Sequence, residues 1–412
     1  MEAGPVDYRA LMKKVEQFVE AIERSDDALT TVQNVANSII AAFRNELGIY
    51  GGRIYHREGD DYVVLASLAA SEREIVGIRV PRTYPPIEKV LEEGILYMGR
   101  DDPALDRIFE QYLGVEEFAA IEVGEEEYIL AFNVAPSSEA EDVLFSLGIV
   151  RHSLNQKLRR KRWVGTLNEA QRIQASILPR RQPRHGQYDI AGRNLPMEGV
   201  GGDFYDFIPI TDKILGLAIA DVSGHGLPAA LQVRDIYTGL RMGMARDLKI
   251  VRTVERLNRI IHESTLTSRF VSMFYGELEL NGLFIYVNAG HPPPFRICAK
   301  DGSIDDLEEG GAVLGPLPEA TYERGFLTLH PGDVVCLYTD GIAEASSQGA
   351  IGVGEEFGVH RLKEVVRRNM HRPAAEILDA VFSAVDTFER GRPAEDDRTA
   401  VVVRYVPKKG DK

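Results

Sequence analysis

Apolar residues recur at steps of three and four along the first fifty positions. Leu11, Val15, Phe18, Val19 and Ile22 share one helical face, and Leu29, Val32, Val35, Ile39 and Phe43 share another. The second of these helices starts near Asp26 and is closed by Gly48. The pattern then turns strand-like. Residues 53–55 and 62–67, separated by Gly59-Asp60-Asp61, predict strands, and so does 75–80, ended by Pro81. Residues 85–93 and 103–113 predict short helices. Residues 118–123 and 128–134 predict a hairpin around Gly124-Glu125-Glu126-Glu127. Two helices followed by a mixed sheet with helical excursions describe an α+β domain over residues 1–138.

A single helix is predicted from 139 to 178. Leu144, Leu147, Val150, Leu154 and Leu158 form one stripe, continued after a basic run by Trp163, Leu167, Ala170, Gln174 and Ile177. Pro179 stops it and Pro183 follows. Such a helix is about 60 Å long, more than one domain core covers. Its narrow apolar stripe predicts a linker over 139–180 that pairs with a second copy as a coiled coil, giving a homodimer. The other reading is a helix packed on its own two domains.

Beyond the prolines, a domain over 185–407 alternates strands and helices. Strands are expected at 189–195 (edge-like), 214–220, 270–280, 282–289, 334–338 and 399–405, and helices at 228–247, 254–264 and 376–389. This order suggests two sheets with helices outside.

Composition narrows the partners. The net charge of −15 disfavours nucleic acid and anionic membranes. The one strongly basic run, Lys157-Leu158-Arg159-Arg160-Lys161-Arg162, then reads as a solvated helix face or an electrostatic partner for an acidic domain. No basic-then-apolar leader opens the chain, and no apolar run approaches the roughly 20 residues of a membrane helix. The two cysteines, Cys298 and Cys336, are far apart, and Cys336 sits in an apolar run as a buried structural thiol. A reducing cytoplasm is expected.

The chemistry concentrates in four aspartates, each where an apolar strand meets a glycine-marked turn. They lie in Gly201-Gly202-Asp203-Phe204-Tyr205-Asp206, Asp221-Val222-Ser223-Gly224-His225-Gly226, Tyr338-Thr339-Asp340-Gly341 and Asp396-Asp397-Arg398-Thr399. Carboxylates on rigid strand ends are the oxygen donors a hard divalent cation requires. A pair of such ions suggests phosphate-ester hydrolysis. Asp alone is a good turn residue; four in this setting ask for more.

With Asn-Ala-Gly-His-Pro-Pro at 288–293, these motifs resemble, in order, the PPM (PP2C-type) serine/threonine phosphatases of the RsbU/SpoIIE-like bacterial branch. The resemblance covers about 165–405, including the helix Glu169-Ala170-Gln171-Arg172-Ile173-Gln174 before the domain. It implies an αββα sandwich and two Mn²⁺ or Mg²⁺ ions. Asp221 would stand between the ions, Asp203 and the Val222 carbonyl on one, and Asp340 and Asp396 on the other. These are the catalytic residues, activating a water with no protein nucleophile. Gly202, Ser223, Gly224, His225 and Asp397 would support the site or meet substrate. The eukaryotic branch has a histidine where Ser223 stands and a phosphate-gripping arginine where Gly199 stands. Substrate binding should therefore rely on protein docking, and both His225 and His291 read as loop-ordering. The resemblance further implies a phosphorylated STAS-type anti-anti-sigma protein as substrate. The first domain resembles a GAF sensor in the order of its elements, which implies a small-molecule ligand or protein activator there. Gly201-Gly202-Asp203-Phe204 also resembles a diguanylate cyclase loop, but the glutamate of that loop is missing. A catalytically inactive scaffold, the alternative, would be expected to have lost a metal aspartate, and all four are present.

Overall fold

The computed structural model describes residues 28–68, 75–113, 116–136, 138–244, 249–264, 270–347 and 355–406. The helix expected around Leu11 to Ile22 lies outside them. The chain divides into two compact units at Gly165 and Thr166.

The first unit is built on an antiparallel sheet of six strands in the order β3-β2-β1-β6-β5-β4. These are β1 (Ile49–Glu58), β2 (Asp61–Ser67), β3 (Arg79–Pro81), β4 (Ile95–Met98), β5 (Phe118–Val123) and β6 (Tyr128–Val134). Helices cover both faces. On one, α1 (Ala28–Phe43) and the start of α4 (Ala140–Ile177) bury Val32, Ile39 and Phe43 with Val143, Leu147, Val150, Leu154 and Leu158 against Ile54, Leu130 and Phe132. On the other, α2 (Pro85–Glu93) and α3 (Arg107–Leu113) pack Ile87, Val90 and Leu113 over Tyr55, Phe118 and Ile129. Alternation along β1 explains the split: Ile54 faces one layer, Tyr55 the other.

Three expectations change here. The strand expected over 75–80 shortens to Arg79–Pro81, because Gly77 takes φ +88° and turns the chain inside that run. The helix expected over 103–113 begins only at Arg107. Asp106 caps it, its Oδ1 accepting the amides of Ile108 and Phe109 at 3.0 and 3.1 Å. The upstream half of the expected coiled-coil seam is spent inside this unit: Leu147, Val150, Leu154 and Leu158 are at most 4% exposed. Burying them on the domain's own sheet removes the surface a partner helix would need. The basic run finds its counterpart locally. Arg159 and Arg162 bind Glu125 at 3.1 and 3.3 Å, Arg162 also binds Glu127, and Arg57 and Arg82 hold Glu126.

The second unit is a sandwich of two sheets between helical layers. One sheet runs β14-β11-β10-β9-β8, with β15 also on β11; the other runs β13-β12-β16-β19-β7. The strands are β7 (Tyr188–Leu195), β8 (Asp203–Thr211), β9 (Ile214–Val222), β10 (Val271–Glu279), β11 (Leu283–Ala289), β12 (Phe295–Ile297), β13 (Ile304–Asp306), β14 (Gly310–Gly311), β15 (Gly325–Thr328), β16 (Val334–Tyr338) and β19 (Arg398–Tyr405), with β17 (Ser346–Ser347) and β18 (Glu355–Glu356) paired apart from both sheets. β7 is the edge strand its sequence suggested. Period-two alternation builds the layers. Leu215, Leu217 and Ile219 of β9 meet Val335, Leu337, Val401 and Val403 between the sheets. The intervening Ala218, Ala220 and Val222 face α5 (Leu227–Met244) and α6 (Ile250–Glu263). Ala400 and Val402 face α8 (Gly358–Asn369) and α9 (Ala374–Glu389) across the second sheet. The short α7 (Asp340–Ala343) follows β16. Helix α8 was not anticipated: its buried stripe is only Leu362 and Val366. Both cysteines are free and buried, and burial pushes the Cys336 thiol up to about 12.

We expect Leu147→Ala to cost about 2–5 kcal/mol in urea unfolding of the first unit, independent of protein concentration. A midpoint that instead varies with concentration would place Leu147 in an intermolecular seam.

Candidate active site

The four candidate turns come from paired strand ends, two on each sheet. Asp203 opens β8 directly across from Asp221 near the end of β9. Asp340 follows β16, and Asp396 and Asp397 precede β19, whose Ala400 pairs with Tyr338. Asp203 joins the two sheets. Its Oδ2 accepts the Thr339 hydroxyl at 2.7 Å and the Thr399 hydroxyl at 2.6 Å. Both hydroxyls are aimed by further bonds. Thr399 Oγ1 accepts from Asn194 Nδ2 at 2.8 Å, and Thr339 Oγ1 accepts the Thr399 amide at 2.9 Å.

The next residues of the last motif divide the work by strand alternation. Asp397, buried, accepts the Met197 and Gly202 amides at 2.7 Å each and ties the loop before β8 to the start of β19. Arg398 points the other way, into a buried ion pair with Glu389 of α9. Gln174 of α4, 7% exposed, reaches the same loop from upstream. Its Nε2 donates to the Gly201 carbonyl at 2.6 Å and its Oε1 accepts the Gly201 amide at 3.1 Å.

Close approach of these turns requires glycine. A Cβ on Gly202 would stand 2.6 Å from the Val222 carbonyl oxygen and 3.2 Å from Asp221 Oδ1, and one on Gly341 would overlap the Asp397 carbonyl. The crowding has an electrostatic signature. Burial first, then Asp340, Asp396 and Asp397, push the Asp221 carboxyl up to about 7. Burial and Asp221 raise Asp203 well above the usual range, against the pull of Thr399 and Thr339. Asp340 is raised by burial and by Asp396.

Divalent cations fit this donor set. It offers several carboxylates and the Val222 carbonyl, all hard oxygen, partly buried and short of positive charge. The motifs are gathered without forming a closed cage: among the described residues, no three His, Cys, Asp or Glu side chains are arranged to hold an ion.

The remaining expected residues have visible places. Ser223 Oγ accepts the Phe270 amide at 3.1 Å, and its own amide donates to the Phe270 carbonyl, so this serine anchors its loop to β10. Gly224 turns the chain toward His225, whose exposed ring lies with Nδ1 3.4 Å from Glu198 on the rim. His291 is a cross-sheet stitch. Its Nε2 is 3.1 Å from the Tyr338 carbonyl, so that nitrogen donates, and Nδ1 accepts the Ser272 hydroxyl at 2.9 Å. Ser272 is the register partner of Asp221, and Tyr338 lies two residues before Asp340. Burial holds this imidazole neutral, its pKa lowered to about 3. Sequence reasoning missed Thr339, Thr399 and Asn194. The threonines stood inside quoted motifs, whereas nothing local marked Asn194.

Residues 211–406 match the family Stage II sporulation protein E (SpoIIE). The chain is 28% identical over 236 residues to "Phosphoserine phosphatase RsbU" of Bacillus subtilis, spanning 57% of this chain and 68% of that protein. The second domain is a protein phosphatase domain of the SpoIIE/PP2C type. A match to "Protein IcfG" of Synechocystis, 28% identical over 267 residues, spans 58% of this chain but 41% of that protein. The SiaA-PP2C domain of Pseudomonas aeruginosa shares the fold, with a TM-score of 0.53 and 20% identity over 60% of this chain and 98% of that one. The family match contains Asp221, Asp340 and Asp396; Asp203 and its glycines precede it.

Two outcomes follow for the metal-free protein. Asp221 titrates near 7 when folded against an ordinary 3.8. Between those values the native state binds more protons than the unfolded chain, so this stability falls as pH rises through 7. His291, lowered from 6.5, acts in the opposite sense, costing stability only as pH drops below 6.5. In EDTA, the thermal midpoint should fall between about pH 6.5 and 8. The fall should be smaller in Asp221→Asn and reversed by Mn²⁺ or Mg²⁺. An equal fall in both proteins would contradict this account. Separately, Thr399→Val keeps the shape but removes a donor to a buried carboxylate, and should cost about 1–3 kcal/mol in urea unfolding. No loss would mean that the Asp203 bridge is not formed.

Proposed function

We propose that the chain is a metal-dependent protein serine/threonine phosphatase governed by a GAF-like sensor over residues 1–138. Its substrate is a phosphorylated STAS-type anti-anti-sigma protein in a partner-switching circuit. One observation carries this reading: four strand ends bring mutually repelling carboxylates together in a phosphatase fold. Similarity to a protein named phosphoserine phosphatase supports the serine substrate.

Two Mn²⁺ or Mg²⁺ ions, when bound, supply positive charge for the phosphoryl group and activate a water for in-line attack on phosphorus. Asp203, Asp221, Asp340 and Asp396, with the Val222 carbonyl, would hold these ions. Asp203 has one oxygen fixed by Thr339 and Thr399, which aims the carboxylate. Asp397 holds the Gly202 and Met197 amides and so supports the site. The chain contributes no nucleophile of its own: Ser223 is committed to Phe270, and the cysteines are buried. With Gly199 in place of an arginine, affinity comes from docking of the substrate protein.

Regulation runs through the linker, residues 139–180, and helix α5. Gln174 grips Gly201, and Arg241 of α5 pairs with the buried Asp206 of β8 at 2.8 Å. Movement of either helix would shift a strand end that carries a metal aspartate. The exposed Trp163 and Val164 mark the part of the linker left for pairing with a second copy. Among the described residues no helix is long and apolar enough to cross a membrane; such a circuit would operate in the cytoplasm.

The test is phosphate release from a serine-phosphorylated STAS domain by the full chain with Mn²⁺. Activity should be removed by EDTA and reduced on the order of 10²-fold or more by Asp340→Asn, as expected when a charged group at a reacting centre is lost. Hydrolysis that survives both would reject the metal mechanism. Binding of the STAS domain without hydrolysis would make the domain a scaffold.

A further inference from the structure

Side-chain bridges tie the two sheets of the second domain together on either side of Asp221. Across β9, the register partners of Asp221 are Asp203 on β8 and Ser272 on β10. Asp203 reaches the second sheet through Thr339 and Thr399. Ser272 reaches it through His291, whose Nδ1 accepts the Ser272 hydroxyl at 2.9 Å and whose Nε2 donates to the Tyr338 carbonyl at 3.1 Å. Tyr338 ends β16, and Asp340 stands in the turn just beyond it. One imidazole therefore spans from the neighbour of Asp221 to the strand end that carries Asp340.

The loop after β11 is built to hold that ring in place. The His291 amide donates to Asn288 Oδ1 at 2.7 Å. Asn288 Nδ2 donates back to the His291 carbonyl at 3.0 Å and to the Leu307 carbonyl at 3.2 Å. Between them Gly290 takes φ +66°, and a Cβ there would stand 2.4 Å from Val313 Cγ1. Ser272, Asn288 and His291 are all buried. Both ring nitrogens are committed to protein, which fixes one neutral tautomer and leaves the ring nothing with which to bind an ion or a substrate itself.

We propose that His291 is a positioning residue for the pair of cations: acting through Ser272 and Tyr338, it sets how far the turn of Asp221 stands from the turn of Asp340. The Asp203 bridge fixes the sheets on one side of Asp221, and the His291 bridge fixes them on the other. Without the second, the strand ends are free to separate where carboxylates of both sheets must share cations. An apolar ring of similar size would fill the space and leave that spacing unset. The inference rests on the metal-phosphatase reading above and adds a residue to it.

The test is calorimetric titration of the metal-free full chain with Mn²⁺, beside urea unfolding in EDTA and hydrolysis of p-nitrophenyl phosphate over a range of Mn²⁺ concentrations. Ser272→Ala and His291→Phe break the bridge, whereas His291→Gln keeps a donor and an acceptor side by side. Leu378→Ala, buried under α9 with no part in either bridge, is the control for a plain loss of stability. Ser272→Ala and His291→Phe should bind Mn²⁺ about 10- to 100-fold more weakly at one or both sites, and need correspondingly more Mn²⁺ for half-maximal hydrolysis, as when a group that orients metal ligands is lost. His291→Gln should recover part of the loss, and Leu378→Ala should bind as the native chain does. The proposal is wrong if the two bridge variants bind both ions as the native chain does, or if Leu378→Ala weakens binding as much as they do; His291 is then structural only. If His291→Phe does not fold, Ser272→Ala decides by the same comparison. Absence of Mn²⁺ binding by the native chain would instead overturn the metal-phosphatase reading, and this proposal with it.

Discussion

Repulsion among crowded carboxylates is the constraint around which the second domain is organised. Asp203, Asp221, Asp340 and Asp396 come from four strand ends, and the shared burden is visible in Asp221, pushed up to about 7. At short range and low dielectric, like charges cost several kcal/mol unless something offsets them. The neighbouring residues are those offsets. Thr339 and Thr399 donate to Asp203, backbone amides donate to Asp397, and His291 stays neutral while bridging the strands beside Asp221 and Asp340. What these contacts do not supply is positive charge, and that is the role left for cations.

The sandwich makes the arrangement rigid enough to persist. Each carboxylate sits at the end of a strand locked by inter-sheet packing of Leu217, Ile219, Leu337 and Val401 on one side and by helices on the other. Small residues Ala218 and Ala220 let the helical layer sit close to β9. The same closeness makes the site sensitive to helices. Gln174 holds the loop before Asp203, and Arg241 holds Asp206 three residues beyond it. Displacing either helix would act on Asp203 and Asp206 through two side-chain contacts.

Much of this was legible in the chain, for physical reasons. Strands β9, β16 and β19 read as near-continuous apolar runs because both faces are buried against different layers, so their limits could be read within one or two residues. The aspartates were legible because the glycines beside them are demanded by close approach of turns distant in sequence. What failed was non-local or compensated. Asn194 acts across the sheet on Thr399, a relation no periodicity records. Helix α8 hides behind two buried residues. The stripe on α4 was read correctly as apolar, but periodicity does not say which surface covers it: Leu147 and Leu154 are buried in their own domain.

The account stands most directly on cation binding. Calorimetric titration of the metal-free full chain with Mn²⁺, native beside Asp221→Asn, would test it. The account predicts two ions per native chain, with protons released near pH 7 as the raised carboxyls ionise, and loss of at least one ion from the variant. Absence of binding to the native chain, or binding that Asp221→Asn leaves unchanged, would contradict it.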